Sequence, residues 1–172
     1  NSNYSLGGVH GCSLIERGFN DHYLISSHKG KSIFRVYLNH KYYIESTEAF
    51  QFELDLLEHL YNKNIPVANA LPMNNGGLLG SVPTPLGLRH FALFSYAVGD
   101  KLESSSKMTI EQSFQLGKTM AQLHVAANRF DSTLKRYHLN TQYLVDEPIR
   151  LIEEKKNNHK EAYEEIQHII AP

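Results

Sequence analysis

"FRVYLNHKYYIESTEAFQFELDLLEHLYNKNIPV", residues 34–67, contains the change of period that decides the fold. Its start belongs to an apolar run, 32–38 (SIFRVYL), rich in aromatic and β-branched residues. That run reads as a strand carrying one cation, Arg35. From Ser46 the spacing becomes helical: Phe50, Leu54, Leu57 and Tyr61 make one stripe, and Phe52, Leu56 and Leu60 an adjacent one. Ser46 or Thr47 can cap a helix expected over 47–62, and Asn62 and Asn64 before Pro66 end it. Glu53 is a lone carboxylate in this apolar setting. Two readings of Arg35 and Glu53 are open. They pair where the helix packs on the sheet, because buried charges are tolerated mainly when paired or engaged by a ligand. Alternatively, Arg35 reaches out to water and Glu53 lies on the exposed flank of its helix.

Upstream, residues 12–17 (CSLIER) and 21–27 (DHYLISS) alternate roughly, with Gly18 and Asn20 between them, which reads as a hairpin. Lys29-Gly30-Lys31 turns the chain into the third strand. Downstream, 68–90 is punctuated by Pro and Gly, with short strands expected near 70–73 and 77–80. Residues 91–96 (FALFSY) read as a buried strand. The segment 98–108 is Gly- and Ser-rich and reads as a linker between lobes. Beyond it the chain is helical. Thr109 and Gln112 fit a capping box, and Ile110, Phe114, Gly117, Ala121 and His124 follow at helical spacing. Further helices are expected over 141–157 and 159–170. A β-rich part followed by helices makes an α+β protein in two lobes.

Composition narrows the function. The chain has 172 residues, 41% hydrophobic and 20% charged, enough for one domain or two small lobes. A net charge of −1 supplies no bulk field toward nucleic acid or an anionic membrane, and the many tyrosines have no basic stripe beside them. No apolar stretch approaches the ~18–20 residues that span a bilayer. Neither nucleic acid nor membrane is therefore an expected partner. Cys12 is the single cysteine, which excludes an internal disulfide and a Cys-based zinc site and fits a reducing, cytoplasmic setting. The histidines show no HExxH spacing and no G-x-S-x-G occurs, so metallohydrolase and serine-hydrolase chemistry have no support.

Hairpin, strand, Glu-bearing helix, short strands, buried strand, linker and helices is the order of a kinase-like N-lobe and hinge. In that order the chain resembles the aminoglycoside phosphotransferase and choline kinase-like superfamily, which includes homoserine kinases. The resembling stretches are RGFNDHYLI (17–25), SIFRVYL (32–38), FELDLLEHLYNKNIPV (52–67), FALFSYAVGDKL (91–102), LGKTMAQLHVAA (116–127) and HLNTQYLVDEPIRLIEE (138–154). The resemblance implies an N-lobe over 1–97, with an antiparallel sheet of about five strands and one helix. A hinge or linker over 98–108 and the start of a helical C-lobe over 109–172 follow.

It also implies a nucleotide site. Gly18 and Asn20 would lie near the phosphates, in a hairpin without G-x-G-x-x-G. Arg35 stands where the superfamily commonly has a phosphate-orienting Lys, a departure because guanidinium is planar and larger than ammonium. Glu53 matches the helix Glu that holds that cation, Ser95, Tyr96 and Ala97 match the adenine-binding hinge, and His124 matches a packing position. The implied cofactors are ATP and Mg²⁺, and the implied partner is a hydroxyl-bearing acceptor: an aminoglycoside-, choline- or homoserine-like molecule, or a protein serine.

The superfamily's catalytic loop, H-x-D-x-x-x-x-N, does not occur: none of the five aspartates has a His two residues before it and an Asn five after. The chain is therefore expected to be the N-terminal part of an ATP-dependent phosphotransferase, inactive alone, with its Mg²⁺ ligands elsewhere. The remaining C-lobe, or a second copy, would cover the apolar face left open. The alternative is a naturally short, non-catalytic kinase-like nucleotide sensor or interaction module.

Overall fold

The computed structural model describes residues 3–38, 46–85, 87–99, 108–155 and 160–170. The chain divides into two compact units, Asn1–Lys135 and Arg136–Pro172.

The first unit is built on a hairpin, β1 (Val9–Arg17) and β2 (Asn20–Ser27), extended by β3 (Gly30–Tyr37). Helix α1 (Glu48–Asn62) follows, then β4 (Ala70–Leu71), β5 (Gly80–Thr84), β6 (Gly87–Ser95) and α2 (Ile110–Ala127). All strand pairs are antiparallel, in the order β1-β2-β3-β6, with β4 and β5 both pairing β6 on its side away from β3. Among the described residues the sheet thus has six strands, in keeping with the expected antiparallel sheet of about five. Pro83 lies within β5. A proline is tolerated there because β5 is an edge strand that pairs only β6.

Strand alternation sends side chains to two faces. On one, Tyr37, Ala92, Phe94 and Ala70 pack against Phe50 and Leu54 of α1, with Ile33 and Leu57 at the border. Leu54 is fully buried. On the other, Ile25, Phe91 and Leu93 pack with Tyr4, Phe34 and Val36. A third cluster joins Leu60 of α1 and Ile65 to Ala126 of α2, with Leu123 and Ala127 alongside. Phe52 meets Phe130 edge to face at 5.3 Å. Helix α1 therefore lies between the sheet and α2, which explains its wide apolar face.

The start and end of α1 follow the sequence. Ser46 Oγ accepts the N–H of Glu48. At the other end Asn64 is left-handed (φ 59°), while Ile65 N–H donates to Leu60 O and Asn64 N–H to Tyr61 O, the two bonds of a Schellman turn. Tyr61, expected in the buried stripe, is 53% exposed because the stripe turns away from the sheet in the last helical turn.

In α2 the Thr109–Gln112 capping box forms in both directions, with Thr109 N–H donating to Gln112 Oε1 at 2.8 Å and Gln112 N–H to Thr109 Oγ1 at 3.1 Å. The residues noted at helical spacing do not face the core. Ile110, Phe114, Gly117, Ala121 and His124 are all exposed, Ile110 at 91%. Leu123, Ala126 and Ala127 make the contact instead, so His124 is a surface residue here and not a packing histidine. In the second unit the expected 141–157 helix opens as a π-turn over Gln142–Asp146 and continues as α3 (Glu147–Lys155). Arg150 ties α3 to itself by pairing with Glu147 and Glu154. Helix α4 spans Lys160–Ile170. Most of the expected linker, residues 100–107, lies outside the described residues, as do Tyr42 and Tyr43. Among the described residues no helix is long and apolar enough to cross a membrane.

Candidate functional site

Arg35 sits mid-strand on the α1 face of the sheet, between Ile33 and Tyr37 of the same alternation. Its register partner on β6 is Ala92, whose small side chain leaves the guanidinium room to lie 4.5 Å from the Phe94 ring centroid. Glu53 reaches it from α1, one residue before the buried Leu54, because the helix is pinned through Phe50 and Leu54. Arg35 Nη1 donates to Glu53 Oε1 at 2.6 Å, with the two side chains 24% and 28% exposed. The first of the two readings of these residues is the one the fold adopts. The pair is neither solvated nor sealed in: partial burial favours a charge-assisted bond while one edge stays reachable.

A third side chain joins them. Arg35 Nε–H donates to His22 Nε2 at 3.1 Å, and the two residues are register partners on β2 and β3. As an acceptor, Nε2 carries no proton, so the ring proton is on Nδ1 and the imidazole is neutral. Burial, and then the Arg35 charge, lower the His22 pKa, against an upward pull from Glu16 and Asp21. His22 Nδ1 is itself buried, with no hydrogen-bond partner among the described residues. An unsatisfied buried donor of this kind costs about 1–3 kcal/mol. Of the five N–H donors of Arg35, one is thus held by His22 and one by Glu53; no other hydrogen bond is made among the described residues. Three planar donors remain for an anion.

Gly18 lies in the tight turn between β1 and β2, its N–H donating to Asn20 O at 3.2 Å. A Cβ placed on Gly18 would meet no atom within 4 Å, so this turn leaves open space beside its backbone. Asn20 faces the same side as His22, and its Oδ1 accepts the N–H of Leu38 at 3.2 Å, fastening the hairpin to the end of β3.

At the other end of the strands, Ser95 pairs with Ser32. It is clamped to Asn69 twice: Ser95 N–H donates to Asn69 O at 2.9 Å, and Asn69 N–H to Ser95 Oγ at 3.1 Å. Ser95 thereby fixes where the chain leaves the sheet, and the backbone of exposed Ala97 carries no hydrogen bond among the described residues. Lys31 Nζ stands 5.5 Å over the exposed Tyr96 ring. Ser32 and Arg35 are three residues apart on β3, or about 10 Å at ~3.3 Å per residue, the scale of an extended nucleotide.

The topology thus brings Asn20, His22, Arg35 and Glu53 to one face, with the Ser95–Ala97 exit at the far end of the same strands. Sequence reading missed His22 and Asn69. Alternation alone places His22 on the face of Asn20, but only the β2–β3 register sets it opposite Arg35. Nothing in the sequence marks Asn69 as the partner of Ser95. Among the described residues no group of three or more His, Cys, Asp or Glu side chains is arranged to hold a metal ion.

No protein-family model matches the chain. Two solved structures share its fold. A microcompartment-associated aminopropanol kinase has a TM-score of 0.66 at 21% identity, over 86% of this chain and 45% of that one. An amicoumacin kinase in complex with AMP-PNP and Ca²⁺ has a TM-score of 0.64 at 16% identity, over 86% and 46%. The chain therefore shares the fold of these two kinases, matching under half the length of each. Among curated relatives, an uncharacterised protein of Synechocystis sp. is 34% identical over 149 residues, 87% of this chain and 40% of the relative. A homoserine kinase of Bartonella henselae is 27% identical over 144 residues, 83% and 40%. The chain spans about two-fifths of the length of these relatives.

Proposed function

We propose that this chain is the nucleotide-binding N-terminal part of an ATP-dependent phosphotransferase that acts on a hydroxyl group of a small molecule. The observation that carries the reading is the Arg35–Glu53 pair, a strand cation held by a helix carboxylate with three donors uncommitted. Such a cation orients phosphates in phosphoryl-transfer folds. The kinase-like fold supports the same reading.

In this reading Arg35 binds phosphate oxygens through its open edge, and Glu53 holds the guanidinium against the sheet. The turn at Gly18 lets the backbone approach the phosphates, while Asn20 keeps that turn in register. Ser95 sets the strand exit so that the backbone of Tyr96 and Ala97 meets the adenine edge. ATP, when bound, supplies the phosphoryl group, with Mg²⁺ neutralising its charge. The base that orients the acceptor and the Mg²⁺ ligands would come from outside these 172 residues, because the chain carries no H-x-D-x-x-x-x-N. The chain alone is then inactive. The homoserine kinase relatives favour an amino-alcohol-like acceptor over a protein serine.

The exposed apolar side chains of α2, with Ile110, Phe114, Leu116 and Met120 among them, would be covered by the rest of the C-lobe. A second copy doing the same is the outcome that would favour a sensor or interaction module.

The test is calorimetric titration of the full-length protein with ATP and Mg²⁺, followed by a phosphoryl-transfer assay on homoserine, choline, an aminoglycoside and a serine peptide. Binding that weakens at least about tenfold in Arg35→Ala, with transfer to one acceptor, is expected. Absence of ATP binding, or binding indifferent to Arg35, would overturn the reading.

A further inference from the structure

We propose that His22 is a positioning residue for the nucleotide phosphates: by accepting Arg35 Nε–H it sets the guanidinium plane, so that Glu53 takes one edge and the open edge faces the ligand. This rests on the nucleotide-site reading and explains how an arginine serves there. An ammonium has three equivalent donors and rotates freely once one is paired. A guanidinium is a rigid planar fork whose Nε–H, on the side of the stem, needs an acceptor of its own. Glu53 at Nη1 leaves the plane free to turn about that contact; a second anchor at Nε, 3.1 Å away on β2, removes this freedom.

Three observations favour this role over a packing histidine. His22 and Arg35 are directly opposite in the β2–β3 register, so the contact is set by backbone pairing and not by a flexible reach. The acceptor role forces the proton onto Nδ1, which is buried without a partner among the described residues, an arrangement the fold maintains at the expense of a hydrogen bond. Finally, the charged groups around the ring are arranged to leave it neutral or to compete over it. Arg35 on β3 disfavours the imidazolium, Glu16 on β1 and Asp21 on β2 favour it, and Glu53 on α1 is engaged by Arg35. Protonating His22 would turn its acceptor into a donor facing Arg35 and release the guanidinium.

The experiment is calorimetric titration of the full-length protein with ATP and Mg²⁺ between pH 5.5 and 8, for wild type, His22→Gln, His22→Leu and Arg35→Lys, and for Arg35→Lys combined with His22→Leu. Gln offers a carbonyl acceptor that does not titrate. His22→Leu is expected to weaken binding about tenfold at pH 7.5, the effect of losing one orienting bond to a charged group. His22→Gln should bind within about threefold of wild type at pH 7.5 and lose the acid-side weakening that wild type shows. The terminal phosphate of ATP titrates near pH 6 in every variant, so the difference between wild type and His22→Gln is the quantity read. In the Arg35→Lys background, His22→Leu should have no further effect, because Lys has no Nε–H to anchor.

Wild-type binding with an unaffected His22→Leu overturns the positioning role and leaves the nucleotide reading standing. Failure of wild type to bind ATP overturns both. A folding defect in His22→Leu is met by a second measurement on wild type, long-range ¹H–¹⁵N correlation of the imidazole. A protonated Nδ1 with bare Nε2 is expected, and a protonated Nε2 at pH 7.5 overturns the proposal.

Discussion

Arg35 on β3 and Glu53 on α1 meet at 2.6 Å, joining a strand and a helix that the sequence separates by the whole 38–47 connection. Each is about three-quarters buried, so the contact is more than a surface ion pair and less than a sealed one. If it orients a nucleotide, removing the Glu53 charge should act on binding. Glu53→Gln should lower ATP affinity of the full-length protein by about tenfold, as for loss of a charge-assisted bond. Glu58→Gln, exposed on the same helix, should leave affinity unchanged. Equal affinities in the two variants would remove the ion pair from the site.

Two glycines separate packing from function. A Cβ on Gly80 would stand 2.3 Å from Phe91 Cζ, and Phe91 is buried and packed on Phe34 at 5.1 Å. Gly80→Ala should destabilise by about 1–3 kcal/mol, as overpacking does. Gly18→Ala meets open space and should change stability by less than about 0.5 kcal/mol. Urea denaturation of both gives the contrast. A nucleotide lying against the turn would make Gly18→Ala weaken ATP binding all the same.

Leu54 holds α1 against the sheet with no surface exposed. Leu54→Ala should destabilise the protein by about 2–5 kcal/mol through lost burial and the cavity left behind. Because Glu53 is its neighbour, the same variant should loosen the Arg35 contact, readable as weaker ATP binding under conditions where the protein is still folded.

Stability should depend on pH through His22. Its folded pKa is below the ordinary value of 6.5, because burial and the Arg35 charge oppose the imidazolium. Below that ordinary value the unfolded chain takes up the proton first, so this histidine lowers stability as pH falls from 6.5 toward the depressed folded value. Above 6.5 both states are neutral there and the effect vanishes. Urea midpoints for wild type and His22→Gln should run parallel between pH 7 and 8 and diverge toward pH 5.5, with wild type losing more. Curves parallel throughout would mean His22 titrates alike in both states.

The capping box of α2 gives a local measure of helix stability. Thr109→Ala removes the acceptor of Gln112 N–H and should destabilise the protein by about 1 kcal/mol, detectable as a lowered urea midpoint.

Elements with a single dominant period were legible in the sequence. The β1–β2–β3 run, α1 with its Asn64 ending and the Thr109–Gln112 cap rest on local rules: alternation, helical spacing, turn and cap chemistry. These constraints act within a few residues, so the chain states them directly. β5 starts where the strand near 77–80 was expected to end, because Pro83 argues against a strand until its edge position is known. The α2 stripe had the right spacing and the wrong neighbour: period shows that a helix has an apolar face, but not what that face meets.

By itself, then, the sequence determined the order of elements, the presence of one cation and one carboxylate in apolar settings, and the absence of the H-x-D-x-x-x-x-N loop. Tertiary structure decided which groups touch. Arg35 could have reached water and Glu53 an exposed flank; burial of Phe50 and Leu54 fixed the helix so that the two meet. His22 became their third member through strand register, and Ser95 was clamped by Asn69, 26 positions away. A contact between residues far apart in the chain is set by how whole faces pack, a sum over many side chains that no short stretch of sequence contains.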